Sequence, residues 1–216
     1  MPRPADEAGI AAAVEALSRG RLVLHPTETV VSLSGDPRSD RAVEVARRLK
    51  GYPEPRPFLC LVPGIEGARR LAREWPPAAE ALAAAFWPGP LTLVLRAATD
   101  APAAVSASGT IALRPAADPV SSALLSAWDG ALFSTSANAR GETPPTDVVR
   151  ALAGLADAAG SDAIEVALTP LAPVVAAGRP STIVDVAVTP PRLVREGAIP
   201  AETVRSALPE LALVGW

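Results

Sequence analysis

Twenty-four prolines, spread over the whole chain, rule out long helices and long strands. Proline fixes φ, lacks a backbone N–H and ends helices. At about twice its usual frequency, it divides this sequence into short elements joined by stiff turns. Between the prolines the apolar residues are periodic. Their spacing predicts helices over 6–19, 40–49, 67–74, 78–86, 118–128, 146–153 and 200–208, with Thr146 as the N-cap of the sixth. Short apolar runs predict strands over 21–24, 58–62, 91–95, 110–113, 131–134, 164–166, 182–186 and 192–194, with a further apolar element ending near Gly35. Residues 50–57 read as a loop, and 154–177 is the weakest-patterned stretch. Strands and helices alternate without a strict βαβ rhythm. That favours an α/β domain with a twisted, mixed sheet over a doubly wound parallel one.

Composition narrows the function classes. With 49% apolar and 20% charged residues the chain can bury a core, and 216 residues are read as one domain over 1–216. A net charge of −3 gives no broad footprint for nucleic acid. Arg47, Arg48, Lys50 and Arg56 nevertheless lie close together in sequence. The single cysteine, Cys60, excludes an internal disulfide and reads as a small buried hydrophobe. One cysteine and one histidine leave no basis for a Cys/His zinc site. There is no signal-peptide pattern and no membrane-length apolar run, so the chain is expected in the cytoplasm, away from membranes.

Seven segments carry chemistry-bearing residues. Pro26-Thr27-Glu28-Thr29-Val30 follows a strand end, where open α/β sheets build sites. Lys50 ends a helix at a stiff loop and presents a point charge suited to phosphate. Phe86-Trp87-Pro88-Gly89-Pro90-Leu91-Thr92 is a rigid turn into a buried strand and reads as scaffold able to form one wall of a cleft. Arg114, at another strand end, can bind a carboxylate bidentately. Ser134-Thr135-Ser136-Ala137-Asn138 crowds three hydroxyls and a carboxamide into five positions, with room for close approach to the backbone. Ser181 and Thr182 enter a strand, and Arg195 ends one before a glycine turn. Each segment alone reads equally as an ordinary turn or surface contact. Glycine-rich phosphate loops, HExxH and GxSxG are all missing from the sequence.

Taken in order, these motifs resemble the YrdC/TsaC family of threonylcarbamoyl-adenylate synthases, in the stretches Lys50-Gly51-x-Pro53, Pro180-Ser181-Thr182-Ile183-Val184-Asp185 and Arg195-x-Gly197-Ala198-Ile199 as well as those above. The resemblance spans residues 26–199. It implies a twisted mixed sheet with flanking helices and a concave, positively charged cleft. The implied activity is nucleotidyl transfer. L-threonine, bicarbonate and ATP, with Mg²⁺ accompanying the ATP, give threonylcarbamoyl-AMP and pyrophosphate, which partner proteins use to modify tRNA.

By the same resemblance Lys50, Ser136 and Asn138 are catalytic, with Lys50 on the wall facing Ser136 and Asn138. Thr27, Ser134, Ser136, Asn138, Ser181 and Arg195 hold ATP, and Thr27, Thr29 and Arg114 line the threonine and carbamate side. No protein-ligated metal is implied. Four departures stand out. Tyr52 occupies the place of a family arginine, for which Arg56 is the candidate substitute. Val31-Ser32 replaces Tyr-Gly, Asp118 replaces a histidine, and Ala139-Arg140-Gly141 varies the usual continuation. The alternative reading is a divergent relative that binds nucleotide or RNA, tRNA included, with the synthase reaction lost or altered.

Overall fold

The computed structural model describes residues 1–51, 56–159 and 163–213. The strands are β1 (Pro2–Pro4), β2 (Leu22–His25), β3 (Ser32–Gly35), β4 (Leu59–Val62), β5 (Leu91–Arg96), β6 (Ser106–Ala107), β7 (Thr110–Pro115), β8 (Leu132–Ser136), β9 (Ile164–Thr169), β10 (Thr182–Asp185), β11 (Arg192–Arg195) and β12 (Ala212–Leu213). The helices are α1 (Glu7–Ser18), α2 (Asp40–Lys50), α3 (Gly64–Leu71), α4 (Pro77–Phe86), α5 (Pro119–Trp128), α6 (Val148–Ala159) and α7 (Ala201–Ala207). Among the described residues no helix is long and apolar enough to cross a membrane.

All the described strands join one mixed sheet in the order β1-β9-β2-β3-β8-β4-β7-β5-β10-β11-β12, with β6 beside β7. Pairings β2–β3, β3–β8 and β4–β8 are antiparallel, whereas β2–β9, β4–β7 and β5–β10 are parallel. The mixed sheet expected from the sequence is therefore present.

Side chains on a strand alternate between faces, and each face has its own core. Leu22, Leu24, Leu33, Phe133 and Leu93 pack with residues of α2, α4 and α6. Val23, Leu61, Leu132, Val166 and Leu168 pack with α1 and α5. On this second face the apolar pattern stops at the strand ends. His25, Ser32, Ser34 and Ser134 continue it as buried polar groups.

Several boundaries differ from the sequence-based expectation. Helix α3 starts and ends three residues earlier, because Ala72 turns extended to bridge Ala97 and Arg73 N bonds Arg96 O at 2.8 Å. Asp147, not Thr146, caps the start of α6, its Oδ1 accepting from Arg150 N at 2.8 Å, and α6 runs on to Ala159. Strand β8 extends to Ser136, so the serines of that motif sit in the ladder rather than in a turn. Strand β1 was not foreseen, since Pro-Arg-Pro carries no strand pattern. It adds parallel to β9 at the sheet edge, where prolines are tolerated.

Candidate active site

Six segments distant in sequence converge near the ends of β3, β4, β7, β8, β10 and β11. They enclose a cavity of about 310 Å³ whose lining includes Thr27, Thr29, Arg56, Arg114, Ser134, Ser136, Ser181 and Arg195. Eight residues singled out from the sequence thus meet in one place. The volume suits a small polar ligand.

The Thr27–Val30 turn is locked from within. Thr27 Oγ1 donates to Val30 O at 2.7 Å and accepts from Thr29 N at 3.1 Å and Val30 N at 3.2 Å. The Thr29 hydroxyl lies 2.8 Å from Thr27 Oγ1 and accepts from Arg114 Nη1 at 3.0 Å. Thr27, expected to touch both substrates, therefore uses its hydroxyl to hold the turn. Thr29 orients Arg114. The Arg114 guanidinium is buried, with Nη1 2.9 Å from Glu28 Oε1. Its Nε–H has no hydrogen-bond partner among the described residues. Burial lowers the Arg114 pKa, and Glu28 and Asp118 oppose that shift. A buried donor without a partner is costly.

The opposite rim is built by β10 and β11. Arg195 donates from Nε and Nη2 to Ser181 O at 3.1 and 2.7 Å. Ser181 Oγ lies 2.8 Å from Thr92 Oγ1, so Thr92 of the Trp-Pro-Gly-Pro segment supports the rim rather than serving as scaffold alone. Thr182 Oγ1 donates to Ile199 O at 2.6 Å and accepts from Gly197 N and Ile199 N, both at 3.0 Å. Burial lowers the Arg195 pKa, and the Arg114 charge adds to the effect.

Lys50 and Asn138 are placed differently from expectation. Lys50 does not face the Ser136–Asn138 turn across the cavity. It lies against that turn, donating to Ser136 O at 2.8 Å and Asn138 O at 2.6 Å. Only 3% exposed, its ammonium is pulled by burial to a pKa of about 8, with Glu142 opposing. Asn138 Nδ2 donates to Ala139 O and Glu142 O, both at 2.8 Å, and the side chain borders a neighbouring cavity with Asp147 and Arg150. Lys50 and Asn138 thus brace the wall that carries Ser134 and Ser136.

Asp118, in the place of a family histidine, caps α5 by accepting from Val120 N and Ser121 N at 3.0 Å each. Tyr52 lies outside the described residues. Arg56, four positions on, is exposed at the cavity. No group of three or more His, Cys, Asp or Glu side chains with metal-binding proximity occurs among the described residues.

The sequence reading missed the buried polar set of His25, Ser32, Ser34 and Ser121. The signal was there as serines alternating on β3.

Comparison with known proteins agrees with this architecture. The family model Sua5/YciO/YrdC, described as telomere recombination, matches residues 15–197. The threonylcarbamoyl-AMP synthase of Pyrococcus abyssi is 31% identical over 91% of this chain and 56% of its own length, so the chain spans little more than half of that relative. The threonylcarbamoyl-AMP synthase of Halorhodospira halophila is 45% identical over 61% of this chain and 70% of its own. The crystal structure of P. abyssi Sua5 complexed with L-threonine superposes with a TM-score of 0.86 at 30% identity, covering 99% of this chain and 61% of that one. With the motifs gathered around one cavity and the family model matched along most of its length, the chain belongs to the Sua5/YciO/YrdC family.

Proposed function

We propose that this protein condenses L-threonine, bicarbonate and ATP to threonylcarbamoyl-AMP and pyrophosphate. The product would serve partner proteins that modify tRNA. The observation that carries the reading is a single cavity lined by Arg56, Arg114 and Arg195 together with the Ser134 and Ser136 hydroxyls, in a chain whose relatives bear the synthase name. The L-threonine complex of the P. abyssi relative supports the amino-acid substrate.

The chemistry needs no covalent enzyme intermediate. The threonine amine adds to CO₂ derived from bicarbonate and releases a proton. A carbamate oxygen then attacks the ATP α-phosphorus, and pyrophosphate leaves with its magnesium. Catalysis is positioning and charge neutralisation. Arg114, which lines the cavity, receives a carboxylate or carbamate. Arg195, Ser181 and Ser136 receive the nucleotide. Lys50 adds positive charge behind Ser136 and keeps the β8 turn rigid. Arg56 supplies the cation that Tyr52 does not.

The test is pyrophosphate release from ATP, Mg²⁺ and bicarbonate with and without L-threonine. Release that depends on threonine is expected. Threonine-independent release, or ATP binding with no turnover, would favour the nucleotide- or RNA-binding relative instead.

A further inference from the structure

A continuous chain of buried hydroxyls leads from the cavity to His25. Ser134 Oγ lies 2.6 Å from Ser32 Oγ, Ser32 Oγ 2.9 Å from Ser34 Oγ, and Ser34 Oγ 2.9 Å from His25 Nε2. On the far side of the ring His25 Nδ1 lies 2.8 Å from Ser121 Oγ and 3.1 Å from Pro26 O. Ser121 Oγ donates to the same Pro26 carbonyl at 2.8 Å. His25 and Ser121 are fully buried, while Ser32 and Ser134 line the cavity. Strand register explains the alignment: Ser32 pairs with His25 on one side and Ser136 on the other, and Ser34 pairs with Ser134. All of them share one sheet face.

Counting protons gives this chain a direction. The Pro26 carbonyl can only accept, so it takes the one proton of Ser121. Ser121 Oγ must then accept from His25, and the network assigns the ring proton to Nδ1. A neutral imidazole has a single N–H, so Nε2 accepts from Ser34. Ser34 in turn accepts from Ser32, and Ser32 accepts from Ser134. If the Ser134 proton turned towards the cavity instead, either Ser32 and Ser134 or Ser32 and Ser34 would face each other oxygen to oxygen with no proton between them. Among the described residues the ring touches hydroxyls and one carbonyl but no carboxylate, and burial holds its pKa at about 4.

We propose that His25, acting through Ser34 and Ser32 as positioning residues, fixes the Ser134 hydroxyl as a hydrogen-bond acceptor towards the cavity. Ser134 therefore receives an amine, hydroxyl or amide N–H of the ligand and disfavours a phosphate oxygen, which can only accept. This moves Ser134 from the nucleotide to the amino-acid side of the site. Donors on Arg114 and Arg195 and the acceptor on Ser134 then suit a zwitterion. The identity of that ligand as L-threonine rests on the synthase reading; the polarity of the hydroxyl chain does not.

His25 is the chain's single histidine, so protein labelled with ¹⁵N-histidine reports on this ring alone. Long-range ¹H–¹⁵N spectra at pH 7 are expected to show a neutral ring protonated at Nδ1, and Ser34→Ala is expected to move the Nε2 resonance. A ring protonated at Nε2 would reverse the chain and overturn the proposal whether or not the protein is a synthase. In kinetics, Ser32→Ala is expected to raise KM for L-threonine about tenfold, the loss of one hydrogen bond, with KM for ATP unchanged. Adding Ser32→Ala to Ser134→Ala is expected to do nothing further. Equal changes in both KM values, or none in a folded variant, would also overturn it. If no threonine turnover is found at all, the synthase reading fails and the ring spectrum alone decides the proposal.

Discussion

The Lys50 ammonium donates to the Asn138 carbonyl oxygen at 2.6 Å and so fastens the end of α2 to the turn after β8. A second bond, to Ser136 O at 2.8 Å, makes the anchor two-pronged. Replacing Lys50 by Met leaves both carbonyls facing a methyl. Unfolding stability is expected to fall by about 2–3 kcal/mol, measured by urea denaturation, with nucleotide affinity falling alongside it. A variant of unchanged stability would show that the anchor is idle.

Lys50 also predicts two opposite pH trends. Its pKa is lowered from 10.5 to about 8, so between those values the unfolded chain holds the extra proton. The penalty for burying the ammonium is full below about pH 8 and is relieved as pH climbs towards 10.5. Over the same window the charge that favours phosphate is lost, and ATP affinity is expected to drop. Calorimetric titration at pH 7 and pH 9 checks this, with Lys50→Met as the control that should flatten the trend.

Acid stability depends on His25. Its pKa falls from 6.5 to about 4 because burial disfavours the imidazolium, with the Pro26 hydrogen bond opposing and the Arg114 charge adding to the shift. Above pH 6.5 both folded and unfolded rings are neutral and the contribution is complete. As pH falls from 6.5 to 4 the unfolded state takes up the proton first, and about 3 kcal/mol of stability is lost. Asp118, whose carboxyl burial raises, contributes with the opposite sign. Comparing wild type with His25→Gln in urea at pH 7 and pH 4.5 isolates the histidine.

Gly197 passes so close to the β10 entry that an added Cβ would meet Pro180 O at 2.2 Å and Ser181 O at 2.5 Å. Both contacts are backbone and cannot swing away. Gly197→Ala is expected to cost about 2–3 kcal/mol and to displace Ser181 and Arg195, so thermal stability and nucleotide affinity should fall together. Intact affinity in a destabilised variant would separate the turn from the site.

Cys60 is fully buried in β4, and burial pushes its thiol up to about 12. The folded protein is expected to give no reaction with a disulfide reagent within minutes at pH 8, and one equivalent after denaturation. Rapid labelling of the native protein would contradict the packing of β4 against β7 and β8.

Much of the local structure was legible in the sequence. Apolar periodicity located the bodies of α1, α2, α4 and α5 and of the central strands, because burial of one face dictates that spacing. Residues 27, 29, 114, 134, 136, 181 and 195 were legible as site candidates through the ordered set of motifs that resembles the family, since each segment alone reads equally as an ordinary turn or surface contact. The direction of Lys50 was not legible. A lysine at a helix end can serve its own helix, a phosphate or a distant carbonyl, and only the position of β8 selects the third. The turn-holding role of the Thr27 hydroxyl was not legible for a similar reason: its partners are groups two and three residues on, which depend on the turn's geometry.

By itself the sequence determined the short elements, the mixed α/β class and the motif set that marks the family, since these follow from proline placement, hydrophobic spacing and residue type. The tertiary structure alone decided the strand order that sets β3 against β8 and β2. That pairing turns Ser32, Ser34, Ser134 and His25, separated by up to 109 positions in sequence, into one hydrogen-bonded chain. Register between strands is a long-range outcome of packing both faces at once, and a hydroxyl has no fixed polarity until its neighbours are in place.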